Sequence, residues 1–234
     1  MPDDSVLGDH DPYDLMDTEA ARLEAWFSGL DGPAWAAPSA CEGWSVQDVL
    51  AHLGFGEEYN AACLDDDVAT FYERYSSRGA SDMNGFNALG VADRRGLAAD
   101  EVLAEWRAGC ARTRRELRQR DGGTIATGVG PYSARWQAWH LASELATHAD
   151  DIGLPETTDE APGRQAWRTR FALFTLDEMK PDVVVATAPG GTLVRAVGAE
   201  QVLDDRELVD AVNGRLPPEF GIDPQLRGAL NALG

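Results

Sequence analysis

The sequence predicts a mainly α protein, with four main helices up to about residue 155 and a small α/β segment after it. Apolar residues recur at helical spacing in long stretches as far as Ile152. Beyond Pro155 the character changes: Val183 to Thr187 and Thr192 to Val197 are β-rich runs separated by Pro189-Gly190-Gly191, a hairpin signal. No internal repeat or low-complexity segment interrupts either part. The expected division is 1–158 for the helical domain and 159–234 for the small α/β domain.

Taken in order, Tyr13 to Leu30 forms a helix on Leu15, Ala20, Leu23 and Phe27, and Gly29, Gly32, Pro33 and Pro38 then open a loop to Trp44. Ser45-Val-Gln-Asp48 has the form of a capping box, and Val46, Val49, Leu50 and Leu53 carry the following helix to about Leu64. Asp65 to Leu97 is glycine-rich and mixed, giving short helices and loops. A helix starts at Asp100 and stops at about Arg120 before Gly122-Gly123, and another starts at Pro131 and ends before Gly153 and Pro155. In the tail, Trp167 to Met179 is helical, and two more helices begin near Asp205 and Asp223, with Pro224 at the first helical position of the latter.

The chain of 234 residues carries 40 acidic against 20 basic residues, a net charge of −20. That balance excludes the ordinary nucleic-acid or anionic-membrane binder, since both partners are polyanions. Met1 to Glu19 holds acidic residues but neither Lys nor Arg, unlike a signal peptide, and no apolar run approaches a membrane span, so the expected location is cytoplasmic. Cys41, Cys63 and Cys110 are odd in number and contain no CxxC, so neither a disulfide framework nor a thiolate zinc knuckle is expected. They read as small buried hydrophobes. Lys180 is the single lysine; the Arg-, Ala- and Gly-rich composition is that of a high-GC bacterium. No phosphate-cradling glycine motif and no GxSxG occurs.

Of the four histidines, His10 lies in the acidic leader, and His52, His140 and His148 lie on predicted helices. Glu144 and His148 are four residues apart and so share a helix face, close to the stripe of Leu141, Leu145 and Ile152. His52 flanks the stripe of Val46, Val49 and Leu53. Two imidazoles and a carboxylate suit zinc or a similar divalent ion, and three protein ligands leave a position open, as catalytic sites do. An interhelical His–Glu hydrogen bond between satisfied core residues accounts for the same spacing. His140 shares the face but sits beside Trp139, at the expected helix edge. Asp150 and Asp151 either orient a ligand imidazole or form an acidic helix end.

The run from Pro38 to Leu53 resembles the opening signature of the mycothiol-dependent maleylpyruvate isomerase family, within the DinB-like metalloprotein superfamily. Gly130-Pro131, Glu144-Leu-Ala-Thr-His148 and Asp150-Asp151-Ile152-Gly153 are similar to that family's second signature, in order and separation. Over roughly residues 15 to 155 the resemblance implies a DinB-like four-helix bundle with His52, Glu144 and His148 as metal ligands. It also implies mycothiol as co-substrate, and the Arg-rich, Lys-poor composition is consistent with an actinobacterial host. A C-terminal arginine assists catalysis in the family; Arg215 and Arg227 are the possible counterparts, in a tail that matches poorly.

The resulting expectation is an enzyme that binds a divalent metal, zinc first. It would use mycothiol or a similar thiol as a thiolate on an electrophilic small molecule, by cis–trans isomerisation or S-transfer. The competing expectations are a non-enzymatic DinB-like metal-binding or stress-response protein and a metal-free bundle with an acidic docking surface. Arg107, Arg112, Arg114, Arg115, Arg118 and Arg120 crowd one helix end, either as a solvated face suited to its dipole or as an anion-attracting rim. Trp44 and Trp136, close to the motifs, are candidates for pocket walls.

Overall fold

The computed structural model describes residues 2–234. After a 3₁₀ turn at Asp4–Leu7 come α1 (Pro12–Ser28), α2 (Gly32–Trp35), α3 (Val46–Leu64), α4 (Val68–Ser76), α5 (Met83–Arg94) and α6 (Ala99–Gln119). A short hairpin of β1 (Thr124–Thr127) and β2 (Gly130–Ser133) leads into α7 (Ala134–Asp151). The remainder is α8 (Ala161–Met179), β3 (Val184–Ala188), β4 (Gly191–Ala196), β5 (Ala199–Leu203), α9 (Asp205–Val212) and α10 (Pro224–Leu230). Among the described residues, no helix is long and apolar enough to cross a membrane.

Contacts divide the chain into two compact units, Asp11–Pro155 and, separately, the residues to His10 with Glu156–Gly234. The acidic leader, expected with the bundle, therefore belongs to the C-terminal unit. Its backbone is tied down there: Asp3 N–H donates to Asp177 Oδ2 at 2.8 Å and Arg170 Nη1 donates to Val6 O at 3.0 Å.

In the first unit α1 packs on α7, α3 packs on α6, and α1 and α7 both also touch α6, which makes the four-helix bundle. Met16, Leu23, Phe27, Val49, Leu50, Trp106 and Leu117 are buried along it. The two mixed-region helices α4 and α5 lie against α3, around Phe55, Phe71, Tyr75 and Phe86. Close approach of α5 depends on Gly90, where a Cβ would stand 2.2 Å from the Phe55 ring. The arginines of α6 are matched by carboxylates, among them Arg114 with Asp17 at 2.7 Å, Arg118 with Asp17 at 2.7 Å and Arg120 with Glu116 at 3.0 Å. Their charge is thus spent within the bundle rather than offered as a rim.

Two local expectations change. Pro131 does not start α7: it lies in β2 opposite Ala126, and Ser133 caps α7 by accepting the Trp136 N–H at 3.3 Å. Asp100 does not cap α6, whose first turn is closed by Glu101 accepting the Ala98 N–H at 2.9 Å. The second unit is an antiparallel sheet in the order β3-β4-β5 with helices α8, α9 and α10. Its core gathers Leu176, Val194, Leu203, Leu208, Val212, Leu226 and Leu230.

Candidate metal centre

The start of α3 is fixed by its cap. Ser45 Oγ accepts the Asp48 N–H at 3.2 Å while Asp48 Oδ2 accepts the Ser45 N–H at 3.0 Å, and Arg95 Nε holds the other Asp48 oxygen at 2.8 Å. His52 follows one turn later, buried. The preceding loop is anchored to the end of α7, where Ala40 N–H donates to Asp151 O at 2.8 Å. The two sequence motifs, distant along the chain, therefore meet in space. At that end α7 stops at Gly153, whose φ of +70° suits glycine.

The meeting brings His52, Glu144 and His148 together, with donor atoms all within 4.8 Å of one another. His52 Nε2 lies 2.9 Å and His148 Nε2 3.2 Å from the same oxygen, Glu144 Oε1. The two imidazole centroids are 4.7 Å apart, and the Trp44 ring lies 5.2 Å from that of His52. His148 Nδ1 faces Asp151 Oδ2 at 3.0 Å, so Asp151 is the carboxylate that orients the ring. The remaining nitrogen, His52 Nδ1, is buried with no hydrogen-bond partner among the described residues.

Burial by itself would drive His148 toward its neutral form. Glu144 on one side and Asp151 on the other outweigh it, holding the His148 pKa well above the ordinary imidazole value. Burial would likewise raise Glu144, but the facing imidazoles of His148 and His52 hold its carboxyl well below the usual range. In a metal-free state Glu144 and His148 thus form an ion pair, and His52 Nε2 shares the same carboxylate oxygen by a hydrogen bond. Two imidazole nitrogens and a carboxylate oxygen aimed at one point, with one imidazole braced from behind, are also the donor set that fits a divalent ion of the zinc type.

The other expected residues of α7 have other neighbours. His140 turns to Tyr132, with Nε2 at 3.1 Å from the hydroxyl, and Trp139 is fully buried rather than at a helix edge. Trp136 stacks edge-on to Tyr132 at 6.0 Å. Arg215 and Arg227 lie in the second unit. Arg227 clamps the carbonyls of Leu216, Pro217 and Phe220 at 2.9, 3.0 and 3.0 Å, and Arg215 Nη1 donates to Asn213 O at 3.1 Å.

One residue beside the cluster escaped sequence reasoning. Cys41, expected to be a hydrophobe without a local base, is half-buried with Sγ 3.2 Å from Asp151 Oδ2 and 4.0 Å from His148 Nδ1. Its place inside the Pro38–Leu53 signature was the only hint.

The fold and this centre define a four-helix bundle with a three-residue His–Glu–His site opened by the first and last bundle motifs. Comparison with known proteins places it further. Residues 16–153 match the family model described as mycothiol maleylpyruvate isomerase N-terminal domain, and the chain belongs to that family. The crystal structure of a mycothiol-dependent maleylpyruvate isomerase superposes with a TM-score of 0.65 at 16% identity, covering 91% of this chain and 93% of that one. The structure described as its H52A mutant gives 0.63 at 15% identity, covering 88% of each chain. No curated protein matches the sequence.

Proposed function

We propose that this chain is a metal-dependent enzyme that uses mycothiol, or a similar low-molecular-weight thiol, as a thiolate nucleophile on an electrophilic small molecule. The observation that carries the reading is the convergence of His52 Nε2 and His148 Nε2 on Glu144 Oε1 in a chain of this family. A divalent ion held by these three side chains, zinc being the first candidate, would supply the lowered thiol pKa that makes thiolate available at neutral pH. Asp151 keeps the His148 ring in place from its far nitrogen, and Trp44 shields the His52 side. The attacking sulfur is borrowed: Cys63 and Cys110 are buried, burial pushing the Cys63 thiol up to about 11, and the Cys41 thiol donates to Asp151 Oδ2 at 3.2 Å behind the His148 ring. A thiolate that adds to an alkene carbon, permits rotation and leaves gives cis–trans isomerisation; the crystallographic neighbours are described as mycothiol-dependent maleylpyruvate isomerases. A thiolate that stays gives S-transfer.

Elemental analysis of the purified protein should find about one divalent ion per chain, and His148→Ala should lose most of it. Titrating mycothiol into cobalt-substituted protein should raise a saturable thiolate-to-metal absorbance. Full metal retention in His148→Ala would sink the ligand assignment, and an unchanged spectrum would sink the thiol chemistry.

A further inference from the structure

The helix that carries His52 also carries a half-buried carboxylate, Glu57. Its Oε2 accepts the Thr113 hydroxyl at 2.5 Å and Asn60 Nδ2–H at 3.2 Å, and the Cys110 thiol also donates to it. α6 makes room for this side chain at Gly109, where a Cβ would stand 2.6 Å from Glu57 Cβ. A half-buried carboxyl group among these partners loses part of its hydration, and no salt bridge compensates it directly. Arg114, whose charge acts on Glu57, is ion-paired with Asp17 of α1 at 2.7 Å.

Glu57 is also joined to the candidate centre by space. A cavity of about 30 Å³ is lined by His52 and Glu144 and equally by Glu57, Asn60 and Cys110, the rest of its wall being apolar. That volume holds a water or two, and polar groups are present to bind them. Burial raises the Glu57 pKa, outweighing the hydrogen bonds from Thr113, Asn60 and Cys110 and the charge of Arg114. The carboxylate is therefore a stronger base than an exposed glutamate.

A thiol that binds at the His–Glu–His site as thiolate must lose a proton. The groups facing Glu57 and this cavity are His52 on α3, Cys110 and Arg114 on α6, and Glu144 on α7. His52 and Glu144 are occupied as ligands, Arg114 is already cationic, and burial keeps Cys110 protonated by raising its pKa. We propose that Glu57 is the acceptor of the thiol proton, which reaches it through water in this cavity. The S–H bond breaks, sulfur keeps the electron pair, the intervening water takes one proton and passes one on, and an O–H bond forms on Glu57. When the thiol leaves, the proton returns by the same path. This inference rests on the thiol reading above.

The test is calorimetric titration of mycothiol into the protein as purified, in buffers of different ionisation enthalpy and across pH. The wild type should release fewer protons to the buffer than Glu57→Gln, by up to a full proton per site above the Glu57 titration. The infrared difference spectrum of the wild type should gain a protonated-carboxyl band on thiol addition, a band missing from the variant. Equal proton counts, or no such band in the wild type, overturn the role of Glu57 while leaving thiol binding intact. If Glu57→Gln does not fold, the wild-type infrared measurement decides alone. Failure of the wild type to bind mycothiol overturns the thiol reading, and this inference with it.

Discussion

The two units of the molecule fill their interiors differently. The core of the C-terminal unit is an apolar cluster, with Leu203, Leu208, Val212, Leu226 and Leu230 all shielded from solvent. The bundle, by contrast, sinks His52, His148, Asp151 and Arg94 below its surface, and each of these meets a carboxylate or an imidazole there. Burying an ionisable group costs several kcal/mol unless partners are supplied in good geometry. The C-terminal unit buries charge too, Arg164 and Arg168 of α8, with Arg164 facing Glu156 at 3.5 Å, but the clusters of imidazoles and carboxylates found among the described residues lie in the bundle. Function is expected where that cost is borne.

The largest test of this contrast is a cavity in the apolar core. Leu208 is completely buried, and Leu208→Ala should cost about 3 kcal/mol, read by chemical denaturation. Metal content and thiol binding should stay with the bundle and remain unchanged in the folded protein. Loss of metal in this variant would mean that the two interiors are not independent.

Arg94 tests the other side. Its guanidinium bonds Gly90 O at 3.0 Å and reaches Glu58 and Glu105, so it joins α5 to α3 and α6. Arg94→Met leaves two carboxylates facing an apolar side chain, and because both keep contact with solvent the expected cost is moderate, about 2 kcal/mol. Thermal unfolding with metal analysis would read it. A neutral or stabilised variant would show that a buried charge in this bundle need not be structural or functional, which would weaken the contrast.

How much of this was legible in the sequence follows the range of the interactions involved. Glu144 and His148 could be paired because helical spacing alone puts them on one face. His52 was a candidate from its place beside an apolar stripe, and the motif resemblance strengthened the assignment, since nothing local links α3 to α7. Cys41 and Glu57 were not legible as site neighbours, because a loop anchored by the Ala40–Asp151 bond and a helix contact at Gly109 bring them in. The hairpin before α7 was missed because Pro131 reads as a helix start, although a short two-stranded edge tolerates it. Strand β5 was missed because its turn is Val197-Gly198, with φ of +50° and +81°. That is the left-handed pair of a tight hairpin, but a β-branched residue rarely accepts it and does not announce it.

The smallest expected effect concerns the cap that sets α3, and hence His52, in place. Ser45→Ala removes one side-chain acceptor and should cost about 1 kcal/mol. Asp48 contributes through charge as well. Burial would raise its pKa, but Arg95 and the Ser45 amide and hydroxyl outweigh this and lower it in the folded state. A carboxylate held below its unfolded value, about 3.9, stabilises the fold above that value and loses the contribution as pH falls through the folded pKa. Asp48→Asn should therefore melt lower than the wild type at neutral pH, and the gap should close in acid as the wild-type Asp48 is protonated. Because its partner Arg95 is largely exposed, the gap is small and should shrink further in salt. A gap that persists unchanged from neutral to acid pH would assign the effect to the lost hydrogen-bond geometry instead of the charge.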